Sequence, residues 1–455
     1  MRLTYLMLRV PFIAFAFSLT TALAQQGSIT PAAGPAPPSP AAASITLEQA
    51  IVRARANEPN FAAAVAASRV SALNLSIARA ALLPSAVYHS QMLYTQGGGP
   101  TNFFGSAASQ SAPRFIANNT IHEYTSQAVI NETLGLQQVT AASRASAADA
   151  VAKAELEIAR RGLVATVTGS FYQALAADRK VAVARRAAGE AAGFTNLAQQ
   201  RESAREGAHA DVVKAQLQQQ QRDRDLADAL LGAQKSHLDL GVLLLPDPRT
   251  PYTLAPGSLS PLPTRAEVED SAMRFNPELN HALAALRVST LDVTAARAAY
   301  LPDLALNFTY GIDAGQFAFN GRDGVKNLGY SASATLDIPV WDWLSTQHRV
   351  RQSEILRDAA HTVLTATQRL LIAQLDEFYA EASTARNQLE SLDQSVQTAA
   401  ESLRLTGLRY SAGEATVLEV VDAQNSLTAS EISREDGTIR YQVALANLQL
   451  LTGAI

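Results

Sequence analysis

The sequence predicts a mixed α/β membrane protein: a long α-helical, coiled-coil-like barrel plus a transmembrane β-barrel, each built by oligomerisation from two internal repeats. Three observations predict it. The chain is written twice, each half carries a pair of alternating strand-like runs, and each half then enters a helical pair longer than a globular core requires.

The N-terminal stretch reads as a secretory signal at residues 1–24. Arg2 and Arg9 precede a short apolar run, Phe12 to Leu19, and Ala22-Leu23-Ala24 has the small-x-small pattern of a cleavage site. The run is too short to cross a bilayer as a helix. Residues 25–44, with Pro31, Pro35, Pro37, Pro38 and Pro40, have the composition of a tether. The absence of cysteine excludes disulfides, thiolate metal sites and a thioether-linked lipid. A net charge of −4 on 455 residues does not suggest a nucleic-acid partner. After the signal no run of about eighteen consecutive apolar residues follows, so insertion in a membrane is expected through strands rather than helices.

Duplication organises the rest. Sliding the chain by 218 positions lays Pro59 on Pro277 and Pro84 on Pro302 without a gap. Between them Arg69-Val70-Ser71 falls on Arg287-Val288-Ser289, and Ala78-Arg79-Ala80-Ala81 on Ala296-Arg297-Ala298-Ala299. Later, at a spacing of 208, Asp211-Val212-Val213 falls on Glu419-Val420-Val421. This period far exceeds that of stacked solenoid repeats. The first repeat is assigned to 45–245, a linker to 246–264 and the second repeat to 265–455.

Each repeat opens with a helix, Leu47 to Leu82 or Arg265 to Tyr300, expected to stop before Pro84 and Pro302. Strands follow. Leu304, Leu306, Phe308, Tyr310 and Ile312 alternate with Ala305, Asn307, Thr309 and Gly311. Leu328, Tyr330, Ala332, Ala334, Leu336 and Ile338 alternate with Asn327, Gly329, Ser331, Ser333, Thr335 and Asp337. Period-two alternation marks strands with one apolar and one wet face. The first-half runs, Ala86–Thr95 and Ile121–Thr133, alternate less cleanly. Next come the helical pairs, Gln137–Leu245 and Ser345–Leu451, rich in Ala, Leu, Gln, Arg and Glu. Two equal arms of about 50 residues, roughly 75 Å each, are expected in each pair.

Four strands per chain cannot close a barrel, which takes about eight or more. Nor can they end in open edges within lipid, where each unpaired backbone group costs several kcal/mol. Copies of the chain must therefore share one sheet. A cyclic ring of copies closes it, and the helices continue the ring as a hollow tube.

Asn276-Pro277-Glu278-Leu279 at a helix start and the Ala-Arg-Ala-Ala-x-Leu-Pro helix endings resemble TolC-type outer-membrane efflux proteins. So does Tyr410-Ser411-Ala412-Gly413, followed by Glu419 and then Asp422-Ala423-Gln424. The resemblance spans Ile45 to Gly453. It implies a homotrimer in outer-membrane lipid, twelve strands from three copies, with a helical barrel in the periplasm. It also implies a periplasmic adaptor and an inner-membrane pump as partners, a passive exit duct of a tripartite efflux or type I secretion system, no cofactor and no enzymatic activity. The alternative is a periplasmic coiled-coil scaffold or surface adhesin with no pore.

In that family acidic side chains ring the inner constriction. Residue by residue, Glu419 and Asp422 fall on the acidic positions of the second helical pair. Asp211 falls on the acid of the first, and Tyr410 on a tyrosine that ties the closed pairs together. A ring of these acids would favour cations and raise carboxyl pKa values by like-charge repulsion. The same acids also suit helix starts by dipole stabilisation. Gly207 stands four residues before Asp211 whereas Gly413 stands six before Glu419, so the geometry of the first tip is less well defined by the match than that of the second. Trp341 and Trp343, directly after the last strand, suit either a membrane-interface belt or packing where sheet meets helix. His122, His209 and His237 lack metal-ligand spacing, and no nucleophile elbow or phosphate-cradling loop is present.

Overall fold

The computed structural model describes residues 43–94, 122–257, 259–321, 324 and 326–453. The expected signal, most of the tether and the long first-half loop, Gly97 to Asn119, lie outside the described residues. Ser44–Ile455 form one compact unit.

The first repeat runs β1 (Ala43–Ile45), α1 (Leu47–Asn57), α2 (Pro59–Ala80), β2 (Ser85–Tyr94), β3 (His122–Leu134), α3 (Leu136–Ser203) and α4 (His209–Leu244). After β4 (Tyr252–Leu254) the order returns as α5 (Arg265–Phe275), α6 (Pro277–Ala298), β5 (Asp303–Ala314), β6 (Leu328–Asp337), α7 (Ser345–Ser411) and α8 (Val417–Thr452).

The helix expected to open each repeat is two helices. Pro59 and Pro277 each occupy a first helical position, and the residue before each, Glu58 and Asn276, is extended. Proline forces its predecessor out of the helical region but suits the first turn of the next helix, so one residue stops α1 and starts α2. Thr46 with Gln49 and Thr264 with Glu267 close matching capping boxes on α1 and α5.

The long pairs are unequal, not two arms of similar length. α3 and α7 have 68 and 67 residues, α4 and α8 only 36 each. Half of each long helix is covered by its return partner. The other half is covered by the 22-residue helices: α2 lies on α3, and α6 lies against both α3 and α7. Among the described helices, α2 alone is long and apolar enough to cross a membrane by length and composition, with a mean hydropathy of 1.4. It packs along α3 and is broken by Ser68, Arg69, Ser71, Asn74 and Ser76.

The four long strands form one antiparallel sheet in the order β2-β3-β5-β6, so the halves join through β3 and β5. Its register resolves the first-half alternation. Tyr88 lies opposite Ala128, which lies opposite Tyr310, which lies opposite Tyr330. One row down, Ala86, Ile130, Phe308 and Ala332 align. The other face aligns Ser85, Asn131, Asn307 and Ser333, with Asn307 donating to Asn131 at 2.7 Å and Thr309 bonded to Ser331 at 2.6 Å. One face is thus apolar and aromatic, the other hydroxyl- and amide-rich. Tyr88, Met92, Phe308, Tyr310, Tyr330 and Leu336 are all exposed.

Buried apolar residues cluster where helices cross. One cluster joins Ile45, Val167, Phe171, Leu240 and Leu244. A second joins Val268, Leu371, Leu375, Leu448 and Leu451. A third unites the tips of both helical pairs.

Candidate functional site at the helical tips

The turns ending the helical pairs, 204–208 and 412–416, sit over one apolar cluster of Phe194, Ala198, Val212, Ala215, Tyr410, Val417 and Val420. Both turns have five residues. The offset between Gly207 and Gly413 leaves no mark on the length of the turns, because the spacing of 208 persists through the tips: Ser203 and Ser411 end their helices, and His209 and Val417 begin theirs. The left-handed site that Gly413 fills at φ 81° is occupied in the first tip by Arg205 at φ 64°. Gly207 lies two residues further along the same turn and is not the counterpart of Gly413.

Tyr410, at the end of α7, is buried and packs against Phe194 with the rings tilted and their centroids 5.0 Å apart. Burial raises its phenol above the ordinary value; Arg201 opposes the rise and Asp211 adds to it. Asp211 stands in the first turn of α4, and its neighbour Val212 packs in the same apolar cluster as Tyr410. The structure thus brings the tip regions that carry two of the four residues singled out in the sequence, from opposite halves, to one cluster.

Glu419 occupies the third position of α8 and closes a capping box. Its backbone N–H donates to the Thr416 hydroxyl at 3.3 Å, and its carboxylate accepts from the Thr416 N–H at 3.1 Å. Arg409 adds an ion pair at 3.2 Å. These contacts, the Thr416 backbone bond foremost, hold the Glu419 carboxyl below its ordinary value. Within one chain its shift is thus opposite to the rise expected from a ring of acids, because the local donors belong to its own helix cap. Asp422 follows three residues later on the same side of α8 and Asn425 three after that, an i, i+3 ridge. Asn425 accepts from Gln218 of α4 at 2.7 Å and from Arg222.

Sequence reasoning missed the cations that bind these groups. Arg201, in the last turn of α3, donates to the Tyr410 carbonyl and places its guanidinium 5.0 Å from the Tyr410 ring centre. The 208 spacing makes Arg201 the counterpart of Arg409, a signal present in the sequence. Higher up, Arg179, Lys180 and Arg186 of α3 pair with Glu435, Asp436 and Glu431 of α8. Cations on the first pair meet anions on the second, and Glu435 is buried.

At the other end of α7, Trp341 and Trp343 are exposed and meet edge to face at 5.7 Å. Trp343 and Leu344 are left-handed, and Asp342 accepts from the Thr346 N–H at 2.7 Å to start the helix. Among the described residues no cluster of His, Asp and Glu suits a metal ion.

Residues 269–454 match the family described as Outer membrane efflux protein. Outer membrane protein OprJ of Pseudomonas aeruginosa is 26% identical over 201 residues, 44% of this chain, and the match spans only 40% of OprJ. The pyoverdine export outer membrane protein OpmQ of Pseudomonas putida is 26% identical over 394 residues, 85% of this chain and 81% of OpmQ. The fold is that of the Campylobacter jejuni CmeC outer membrane channel, with a TM-score of 0.75 at 14% identity over 90% of this chain and 85% of CmeC.

Proposed function

We propose that this chain, whose residues 269–454 match the outer membrane efflux protein family, is a member of that family and the outer-membrane duct subunit of a tripartite efflux or type I secretion system. It acts as a passive exit path, catalyses no reaction, and works as a homotrimer with a periplasmic adaptor and an inner-membrane pump that supplies the energy. One observation carries the reading: a four-stranded sheet with one apolar face, whose outer strands β2 and β6 each have a neighbour on one side only among the described residues. In lipid those edges need partners, and another copy supplies them.

The duplication supports the way copies meet. Asn131 and Asp337 hold the same place opposite Ser85 and Asp303, a spacing of 206. Carrying the β3–β5 register over by the two strand spacings pairs β6 of one copy with β2 of the next and sets Leu336 beside Ser90, both on the apolar face. Ile338 and Val340, exposed beyond the end of β6, then continue their alternation against Tyr88 and Ala86. Trp341 and Trp343 fall at the periplasmic boundary of the sheet, where amphipathic rings favour the headgroup layer.

The helical tips form the periplasmic gate in this reading. Asp211, Glu419 and Asp422, repeated in three copies about a narrow axis, concentrate negative potential and favour cations, while Tyr410 anchors the second tip to the first. The test is single-channel conductance of the purified protein in planar bilayers. A small cation-selective conductance that grows or loses selectivity in Glu419→Ala/Asp422→Ala supports duct and gate. A pore indifferent to both changes removes the gate assignment. An assembled protein that conducts nothing moves the reading to a scaffold.

A further inference from the structure

We infer that Arg201 is the positioning residue that latches the second helical tip onto the first, and that the latch uses the ring face and backbone carbonyl of Tyr410, not its hydroxyl. The inference rests on the gate reading above.

Four observations converge. The guanidinium of Arg201 donates to the Tyr410 carbonyl in the last turn of α7, which also accepts the Gly413 N–H at 3.0 Å and has a second lone pair for the arginine. The same group lies 5.0 Å from the Tyr410 ring centre, within cation–π range. Phe194 backs that ring from the other helical pair at 5.0 Å. Gly413, at φ 81°, turns the chain directly beside the arginine: a Cβ there would meet Arg201 Nη2 in ordinary contact at 3.6 Å. The counterpart arginine behaves differently. Arg409 stays within its own helical pair, binding the Glu414 carbonyl at 3.0 Å and Glu419 at 3.2 Å. One duplicated arginine therefore stabilises its own turn, and the other reaches across to the neighbouring tip. Arginine suits the crossing because a planar fork can stack on a ring and donate in its own plane at once, which a lysine ammonium cannot do.

The test is planar-bilayer conductance of the full assembled protein in potassium chloride, read beside its melting temperature. Arg201→Ala is expected to raise closed-state conductance several-fold, Arg201→Lys by an intermediate amount, and Tyr410→Phe not at all, since ring and carbonyl both remain. Arg201→Lys keeps most of the side chain's packing and carries the test if the alanine variant does not assemble. A fall in melting temperature with unchanged conductance in Arg201→Ala and Arg201→Lys makes the residue merely structural and overturns the inference, while the acidic-gate variants still report on the duct. Conductance raised equally by Tyr410→Phe overturns the assignment to ring and carbonyl. A wild-type assembly that conducts nothing overturns the duct reading and the latch together.

Discussion

The return helices α4 and α8 have the same length and the same place in their repeats, yet they are covered very differently. α8 buries residues along its whole length, from Val417 through Leu427, Glu435, Tyr441 and Leu448 to Thr452. α4 buries only Val212, Ala215, Ala233, Leu240, Gly241 and Leu244. The reason is position. α8 lies against α7 and also against α3 of the other repeat, whereas α4 has α3 alone along most of its length. In the proposed ring, a duplicated chain has one junction inside itself and one left over, and α4 is the helix left bare for it. In that proposed ring the α7 of a neighbouring copy lies on that face, just as α3 meets α8 within the chain.

The comparison breaks most visibly at Glu435. Its carboxylate is buried and accepts from Arg179 at 3.0 Å, with Arg434 on its other oxygen at 2.7 Å. Glu435→Ala is expected to destabilise the protein by about 2–4 kcal/mol, since two arginines lose a shared acceptor at a packed junction. Ala227, the counterpart on α4, is exposed within one chain and carries no charge, and Ala227→Ser should change stability by about 0.5 kcal/mol or less. Thermal denaturation of the two variants in detergent measures both. Equal losses would show that the halves are buried alike.

A smaller effect separates the tips. α8 starts with the Thr416–Glu419 capping box, while Ala208, at the same place before α4, makes no side-chain cap bond. Thr416→Ala should cost about 1 kcal/mol, and Ala208→Ser should gain up to about that amount. A neutral Thr416→Ala in the same melting assay would mean that packing on Val417 and Val420 fixes the turn without the cap.

The smallest difference is one of pH. Glu157 of α3 is held down to about 2 by bonds from Arg160 and Arg161, while its counterpart in α7 is Thr365. The folded value lies below the ordinary 4.5, so its contribution to stability is present above about 4.5 and is lost as pH falls towards 2. Glu157→Gln should therefore flatten part of the acid limb of stability against pH, and Thr365→Val should leave it unchanged. An acid limb unaltered by Glu157→Gln would show that other carboxylates govern it.

Much of this architecture was legible from the residues. The spacing of 218, the prolines that end the helices and the alternation in β5 and β6 announce the repeat and the strands. The faces of β2 and β3 were not legible, because His89, Gln91 and Ser90 blur the alternation; pairing with β5 settles which side each occupies. Unequal helical arms were hidden because α2 and α6 cover the rest of the long helices from elsewhere in the chain, which no local period encodes. At the tips, the glycines alone do not mark the matching turn positions, since Arg205 tolerates the left-handed site that Gly413 fills. The acids and Tyr410 could be named from a motif, but Arg201 reaches its partner across 209 residues and only its 208-residue relation to Arg409 hinted at it.

The central claim is that the two free edges of the sheet meet in a closed ring of copies. A double variant carrying Leu336→Cys and Ser90→Cys tests it most directly. Within one chain these positions lie on opposite edge strands, at least about 14 Å apart across three strand spacings and beyond the reach of a disulfide. Mild oxidation in outer membranes should therefore link copies, giving a covalent trimer and nothing larger. Absence of any cross-link in an assembled protein, or a ladder running past three copies, would contradict a closed three-copy barrel.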